Sequence, residues 1–114
     1  MKRRVVITGV GCVTPVGKTA EESWNAVVHG KSGTSRVTQI DSQYFSSHVA
    51  AEVKDFDPLK YLSKKQLKKT DRFVQFAVAA GKMAVEDSTL DFSKEDLDLC
   101  GVLVGSGIGG LRSI

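Results

Sequence analysis

The residues whose types and spacing suggest chemistry are two glycine-rich loops, two cysteines, two histidines and a cluster of lysines. Gly105, Gly107 and Gly110 match G-x-G-x-x-G directly after the apolar run Gly101-Val102-Leu103-Val104. The backbone amides of such a loop, opening a helix, can cradle a pyrophosphate. Two supports of that reading are missing. The loop follows the third expected strand rather than the first, and the acid expected about 20 residues on falls past residue 114. A P-loop needs Lys and then Ser or Thr after the last Gly, where Leu111-Arg112 stands. The first loop carries Gly9-x-Gly11, but Thr14 and Pro15 follow and the helix waits until about residue 19. Dinucleotide geometry needs that helix at once, so a structural turn at the strand end is the plainer account. A nucleotide-binding α/β module built on the Gly105 loop stays open as an alternative.

Cys12 and Cys100 have no metal-ligand spacing and no companion histidine cluster. Both sit beside apolar β-type residues, where a free cysteine behaves as a small buried hydrophobe. His29 and His48 are isolated from any acid or nucleophile pattern and read as structural or solvated. No metal site and no cofactor is expected. The lysines are more informative. Between Lys54 and Arg72 seven basic residues face three acids, a local surplus of four in a chain whose net charge is +3. Lys64 and Lys68, like Lys65 and Lys69, are spaced i, i+4 and share one side of a helical turn. Such a patch is either a solvated face or a docking surface that raises the encounter rate with an acidic partner. Nucleic acid does not suit it, because arginine is scarce and aromatics are not interleaved with the basic residues.

The elements that must position these groups are read from periodicity and caps. Arg4 to Thr8 reads as a buried strand, followed by a Gly- and Pro-punctuated loop from Gly9 to Gly17. Thr19 with Glu22 forms a capping-box pattern, Trp24, Val27 and Val28 give the helix an apolar face, and Gly30 ends it. His48 to Val53 is a weaker strand and Pro58 a turn. Ser63 with Gln66 repeats the capping box, with Leu62 and Leu67 at the staple positions. From about Asp71 to Glu86, Phe73, Phe76, Ala77, Ala80 and Ala84 keep helical spacing, and Ala79, Ala80 and Gly81 make that helix slim. Ser93 to Leu97 reads as a short helical turn, and Gly101 to Val104 as an apolar strand. The order β-α-β-α-α-β favours an α/β fold with a parallel sheet. A buried strand ending in a ligand-type loop, with no helix behind it, is the expectation of a truncated domain.

The 41% hydrophobic content suits a globular core. The basic start Met1-Lys2-Arg3-Arg4 is followed by an apolar run of only Val5-Val6-Ile7. That run is too short for a signal peptide or a membrane span, so a cytoplasmic protein is expected.

Arg3-Arg4-Val5-Val6-Ile7-Thr8-Gly9-Val10-Gly11-Cys12-Val13-Thr14-Pro15-Val16-Gly17 resembles the opening of the β-ketoacyl-acyl carrier protein synthases. Trp24, Gly30-Lys31-Ser32-Gly33, Val53-Lys54-Asp55-Phe56-Asp57, Asp71-Arg72-Phe73 with Gln75, and Gly101 through Leu111 continue the likeness in order along essentially the whole chain. The Val-Lys-Asp-Phe segment and the Ile in the glycine loop favour the elongating, type II branch.

The resemblance implies a thiolase-like fold, a layered αβαβα arrangement of two similar halves in a homodimer. Residues 1–114 would be the N-terminal part of the N-terminal domain, most of the first half. It implies an acyltransferase of fatty acid elongation. A cysteine takes the acyl group as a thioester, two histidines assist decarboxylation of malonyl-acyl carrier protein, and backbone amides stabilise the oxyanion. The resulting carbanion attacks the acyl-cysteine. None of those catalytic residues maps here: the family's cysteine and both histidines are expected beyond residue 114, and the segment by itself is expected to be inactive. Two features do carry over. Ile108 corresponds to a residue bordering the acyl pocket across the dimer interface, a gate on chain length. Lys65, Lys68 and Lys69, with Lys64, correspond to the docking surface for the acidic acyl carrier protein. A non-catalytic chain-length-factor-like subunit and a polyketide ketosynthase relative remain alternatives. A membrane partner is not expected.

Overall fold

Thr19 starts the first helix as the sequence predicts. Its backbone is extended (φ −136°, ψ 166°) and its hydroxyl accepts from the Glu22 amide at 3.1 Å. The Glu22 carboxylate reaches one residue further back than a capping box requires, accepting from the Lys18 amide at 2.8 Å. Helix α1 (Ala20–Val28) closes in a Schellman motif around Gly30, whose φ is +66°. Lys31 N–H donates to Ala26 O at 2.9 Å and Gly30 N–H to Val27 O at 3.0 Å.

The computed structural model describes residues 2–110. They fall into two units: Cys12–Asp57, and the segment through Gly11 together with the chain from Pro58 onward. In the first unit, α1 turns a different face inward from the one expected. Ser23 and Ala26 are buried, whereas Trp24 is 68% exposed and Val27 and Val28 are exposed with it. The reason is the tight turn Thr14–Gly17, which lies on the small side chains. Thr14 and Ser23 hydroxyls meet at 2.9 Å, Ser23 donates onward to Thr19 O at 2.7 Å, and Cys12 Sγ donates to Ser23 Oγ at 3.6 Å. A polar residue can be buried because its hydroxyl is fully partnered. The unit's sheet is an antiparallel pair, β1 (Thr34–Arg36) and β2 (Val49–Ala51), with Ser35 opposite Ala50. Past β2 the Glu52 carboxylate accepts from Thr38 Oγ1 at 2.7 Å and from the Thr38 and Gln39 amides. Those hydrogen bonds, the Thr38 hydroxyl first, hold its pKa below the usual glutamate value.

In the second unit a 3₁₀ turn at Pro58–Lys60 leads to the short helix α2 (Lys64–Leu67) and the long helix α3 (Arg72–Ser88). The capping box is complete at α2. Ser63 Oγ accepts from the Gln66 amide at 3.3 Å, and Gln66 Oε1 accepts from the Ser63 amide at 2.9 Å. Leu62 before it is buried and Leu67 half-buried. Helix α3 is slim, as expected, and the N-terminal segment uses that slimness. Ala79 is 0% exposed. A Cβ on Gly9 or Gly11 would collide with the α3 backbone at Ala80, Ala84 and Ser88, so only glycine permits this approach. Val10 N–H adds a 2.8 Å bond to Asp87 Oδ2. Two 3₁₀ turns, Phe92–Lys94 and Leu97–Leu99, stand where one helical turn was expected.

The strand expectations at Arg4–Thr8 and Gly101–Val104 are corrected. Neither segment joins a ladder among the described residues, and no parallel sheet forms there. Val5 is 92% and Leu103 100% exposed. A β-branched run favours extended backbone, but a strand exists only where a second one accepts its hydrogen bonds. Val102 and Val104 instead flank α3, bounding with Val74, Val78 and Val85 an apolar groove of about 780 Å³.

Candidate functional site

The basic residues are presented by local hydrogen bonding rather than by a core. With Ser63 capping α2, Lys64 and Lys65 occupy its first turn and Lys68 its C-cap. The Lys69 amide donates to Gln66 O at 3.0 Å. All four lysines are exposed, and none makes an ion pair among the described residues. Helix α2 ends at Leu67, so the i, i+4 pairs expected from the sequence are not both on helix. Four ammonium groups still stand within six residues and repel one another. That repulsion is relieved when an anionic surface approaches. Thr70 then ties the patch to the long helix. Its hydroxyl donates to Gln66 O at 3.0 Å, and its carbonyl accepts from Gln75 Nε2 at 2.9 Å.

The glycine loop lies at the start of α3. Gly109 has φ +79°, which favours glycine, and Ile108 before it is 74% exposed. A Cβ on Gly110 would overlap the Asp71 carboxylate and stand 3.2 Å from Phe73 Cε1, whereas Gly105 and Gly107 look onto open space. The loop therefore rests its backbone on Asp71, the N-cap of α3, and on Phe73 in the first turn. A carboxylate in that position repels a phosphate, so the geometry disfavours the nucleotide alternative. Leu111 and Arg112, weighed against a P-loop in the sequence, lie outside the described residues.

Neither cysteine is hydrogen-bonded to a histidine among the described residues. Half-buried Cys12 donates to Ser23, and Cys100, expected to be buried, is exposed and points to Asp96 O at 3.5 Å. His29 Nδ1 is 2.7 Å from Asn25 O and His48 Nδ1 is 3.4 Å from Ser42 Oγ. Among the described residues no group of three or more His, Cys, Asp or Glu could hold a metal, and no helix is long and apolar enough to cross a membrane. The Asp71–Phe73 support of the glycine loop was not singled out as functional from sequence. No local pattern could have found it, because the glycines that Asp71 and Phe73 meet lie more than thirty residues on.

The family model of the β-ketoacyl synthase N-terminal domain matches residues 2–113. A 3-oxoacyl-acyl-carrier-protein synthase 2 of Vibrio harveyi is 48% identical over 113 residues, 99% of this chain and 27% of that protein. One from Coxiella burnetii is 47% identical over 110 residues, 96% of this chain and 27% of that protein. The chain thus spans about a quarter of the length of the curated relatives it matches. Among solved structures, the ishigamide ketosynthase/chain length factor superposes with a TM-score of 0.75 at 36% identity, covering 82% of this chain and 23% of that one. A type II polyketide ketosynthase in complex with its acyl-carrier protein gives 0.63 at 27% identity, covering 83% and 23%. The fold class is thiolase-like.

Proposed function

The chain belongs to the β-ketoacyl synthase family, and from that premise we propose that the protein carrying it is a type II 3-oxoacyl-acyl carrier protein synthase. It condenses an acyl thioester with malonyl-acyl carrier protein, releasing carbon dioxide, in fatty acid elongation. The observation that carries the reading is the identity of 48% along 99% of the chain to a relative of that name. Residues 1–114 then form the N-terminal part of the N-terminal domain, with the nucleophilic cysteine and the two histidines beyond them. The protein works as a cytoplasmic homodimer.

Two surfaces of this chain have roles in that reaction. Lys65, Lys68 and Lys69, flanked by Lys64, receive the acidic carrier protein; their exposure, and the absence of an ion pair to any of them among the described residues, support this. Ile108 projects from a loop whose neighbouring glycines carry no side chain, and it borders the acyl pocket of the partner subunit. The test is condensation by the full-length protein with acyl- and malonyl-carrier protein, read as 3-oxoacyl product. Substituting Lys65, Lys68 and Lys69 together by Glu is expected to raise KM for the carrier protein at least tenfold. The parent's own KM rises with salt, because exposed charges are screened beyond about 8–10 Å. Absence of product from the unsubstituted protein would sink the catalytic reading. It would favour the chain-length-factor-like subunit, which the likeness to the ishigamide ketosynthase/chain length factor supports.

A further inference from the structure

Ile108 has no described partner that fixes its side chain, which is 74% exposed. Within this chain its support comes from the backbone on either side. Upstream, Gly105 and Gly107 have no heavy atom within 4 Å of where a Cβ would stand. Downstream the loop is supported. A Cβ on Gly109 would lie 3.6 Å from Phe73 Cζ, and one on Gly110 would lie 3.2 Å from Phe73 Cε1 and overlap Asp71. The Phe73 ring supplies the apolar part of that support.

The ring itself is held. It belongs to the first turn of α3, where the Gln75 amide donates to Asp71 O at 3.1 Å and Gln75 Nε2 to Thr70 O at 2.9 Å. It also shares the apolar groove along α3 with Val104 and Ser106, so it bounds the loop from the side of the segment entering it. A loop with four glycines in six residues is intrinsically loose, since each glycine has the widest conformational freedom. Removing the Phe73 ring lets residues 108–110 settle toward α3.

We infer that Phe73 is a positioning residue for Ile108, and through it a determinant of which acyl chain lengths the synthase accepts. This rests on the synthase reading above. Phe73 acts through the loop and touches no reacting atom.

The experiment measures kcat/KM for hexanoyl- and dodecanoyl-carrier protein in the full-length synthase, for the parent and for Phe73→Ala, Phe73→Leu and Ile108→Ala. Phe73→Ala is expected to raise the dodecanoyl-to-hexanoyl ratio about tenfold, the scale at which small changes in an apolar pocket act. Phe73→Leu is expected to fall between parent and Ala, with KM for malonyl-carrier protein unchanged in both. A merely structural role would lower both substrates together and leave the ratio where it was; that result overturns the inference. Should Phe73→Ala fail to fold, the ratio of Phe73→Leu decides in the same way. An inactive parent, or an Ile108→Ala ratio equal to the parent's, defeats the underlying reading and this inference with it. A shifted Ile108→Ala ratio beside an unshifted Phe73 series defeats this inference alone.

Discussion

Replacing Gly11 by Ala inserts one methyl group between the N-terminal segment and the backbone of α3. That methyl would overlap Ala80 O and stand 2.6 Å from Ala84 N and 2.9 Å from Met83 Cβ. Carbon contacts settle at about 3.5–4.0 Å, so the two segments must part by roughly 1 Å. The helix does not yield, because the atoms struck belong to its own hydrogen-bond ladder. The exposed segment moves instead and gives up the Val10–Asp87 bond, which water replaces at little cost. Overpacking of this kind costs about 1–3 kcal/mol. The assay is urea unfolding of the full-length protein followed by far-ultraviolet circular dichroism, with Gly81→Ala as counterpart. Gly81 lies within α3, is exposed and has nothing within 4 Å of a Cβ. Its substitution is expected to stabilise by about 1 kcal/mol through helix propensity. A Gly11→Ala chain as stable as the parent, beside a Gly81→Ala chain that gains, would refute the backbone-on-backbone contact.

Three further outcomes are expected. Thr19→Ala removes the cap that accepts the Glu22 amide; the unfolding free energy should fall by about 1 kcal/mol, and the Glu22 amide should lose protection from hydrogen exchange. Thr89 ends α3 with φ 54°, a left-handed backbone unfavourable for a β-branched residue. Thr89→Gly should therefore raise the urea midpoint by the equivalent of roughly 0.5–1 kcal/mol. Glu52 has its pKa lowered in the folded chain, so its contribution is present above the unfolded glutamate pKa and is lost as pH falls through the folded one. The Thr38 and Gln39 amide resonances should move together on acidification below the ordinary glutamate pKa. Glu52→Gln should abolish that titration; a titration that persists would assign it to another group.

Local signals were legible and non-local ones were not. Both Ser63 with Gln66 and Gly30 act within one turn of their own helix, and the structure forms the motifs they encode. The strand at Arg4–Thr8 needed a partner the run itself does not specify, and Val5 stands exposed. The β1 sequence Thr34-Ser35-Arg36 carries no apolar alternation, so nothing in it announced a ladder. The inward face of α1 departs from the sequence expectation for a related reason. Trp24 and Val27 are its largest apolar residues, but the turn against it is so close that only Ser23 and Ala26 fit.

That distinction also explains how the candidate site is organised in a unit whose buried apolar side chains, among the described residues, are Leu62 and Ala79. The lysines and the glycine loop are far apart in sequence, yet both refer to the few residues joining α2 to α3. Ser63 fixes the start of α2, Thr70 clips its end, Gln75 returns to Thr70, and Asp71 and Phe73 face Gly109 and Gly110. Each link spans five residues or fewer except the last. The lysine cluster was therefore readable from the chain, because its residues are neighbours in sequence and its geometry is local. The support of Ile108 was not, because it depends on Phe73 meeting glycines more than thirty residues away. Glycine has no side chain whose pattern could have announced that contact.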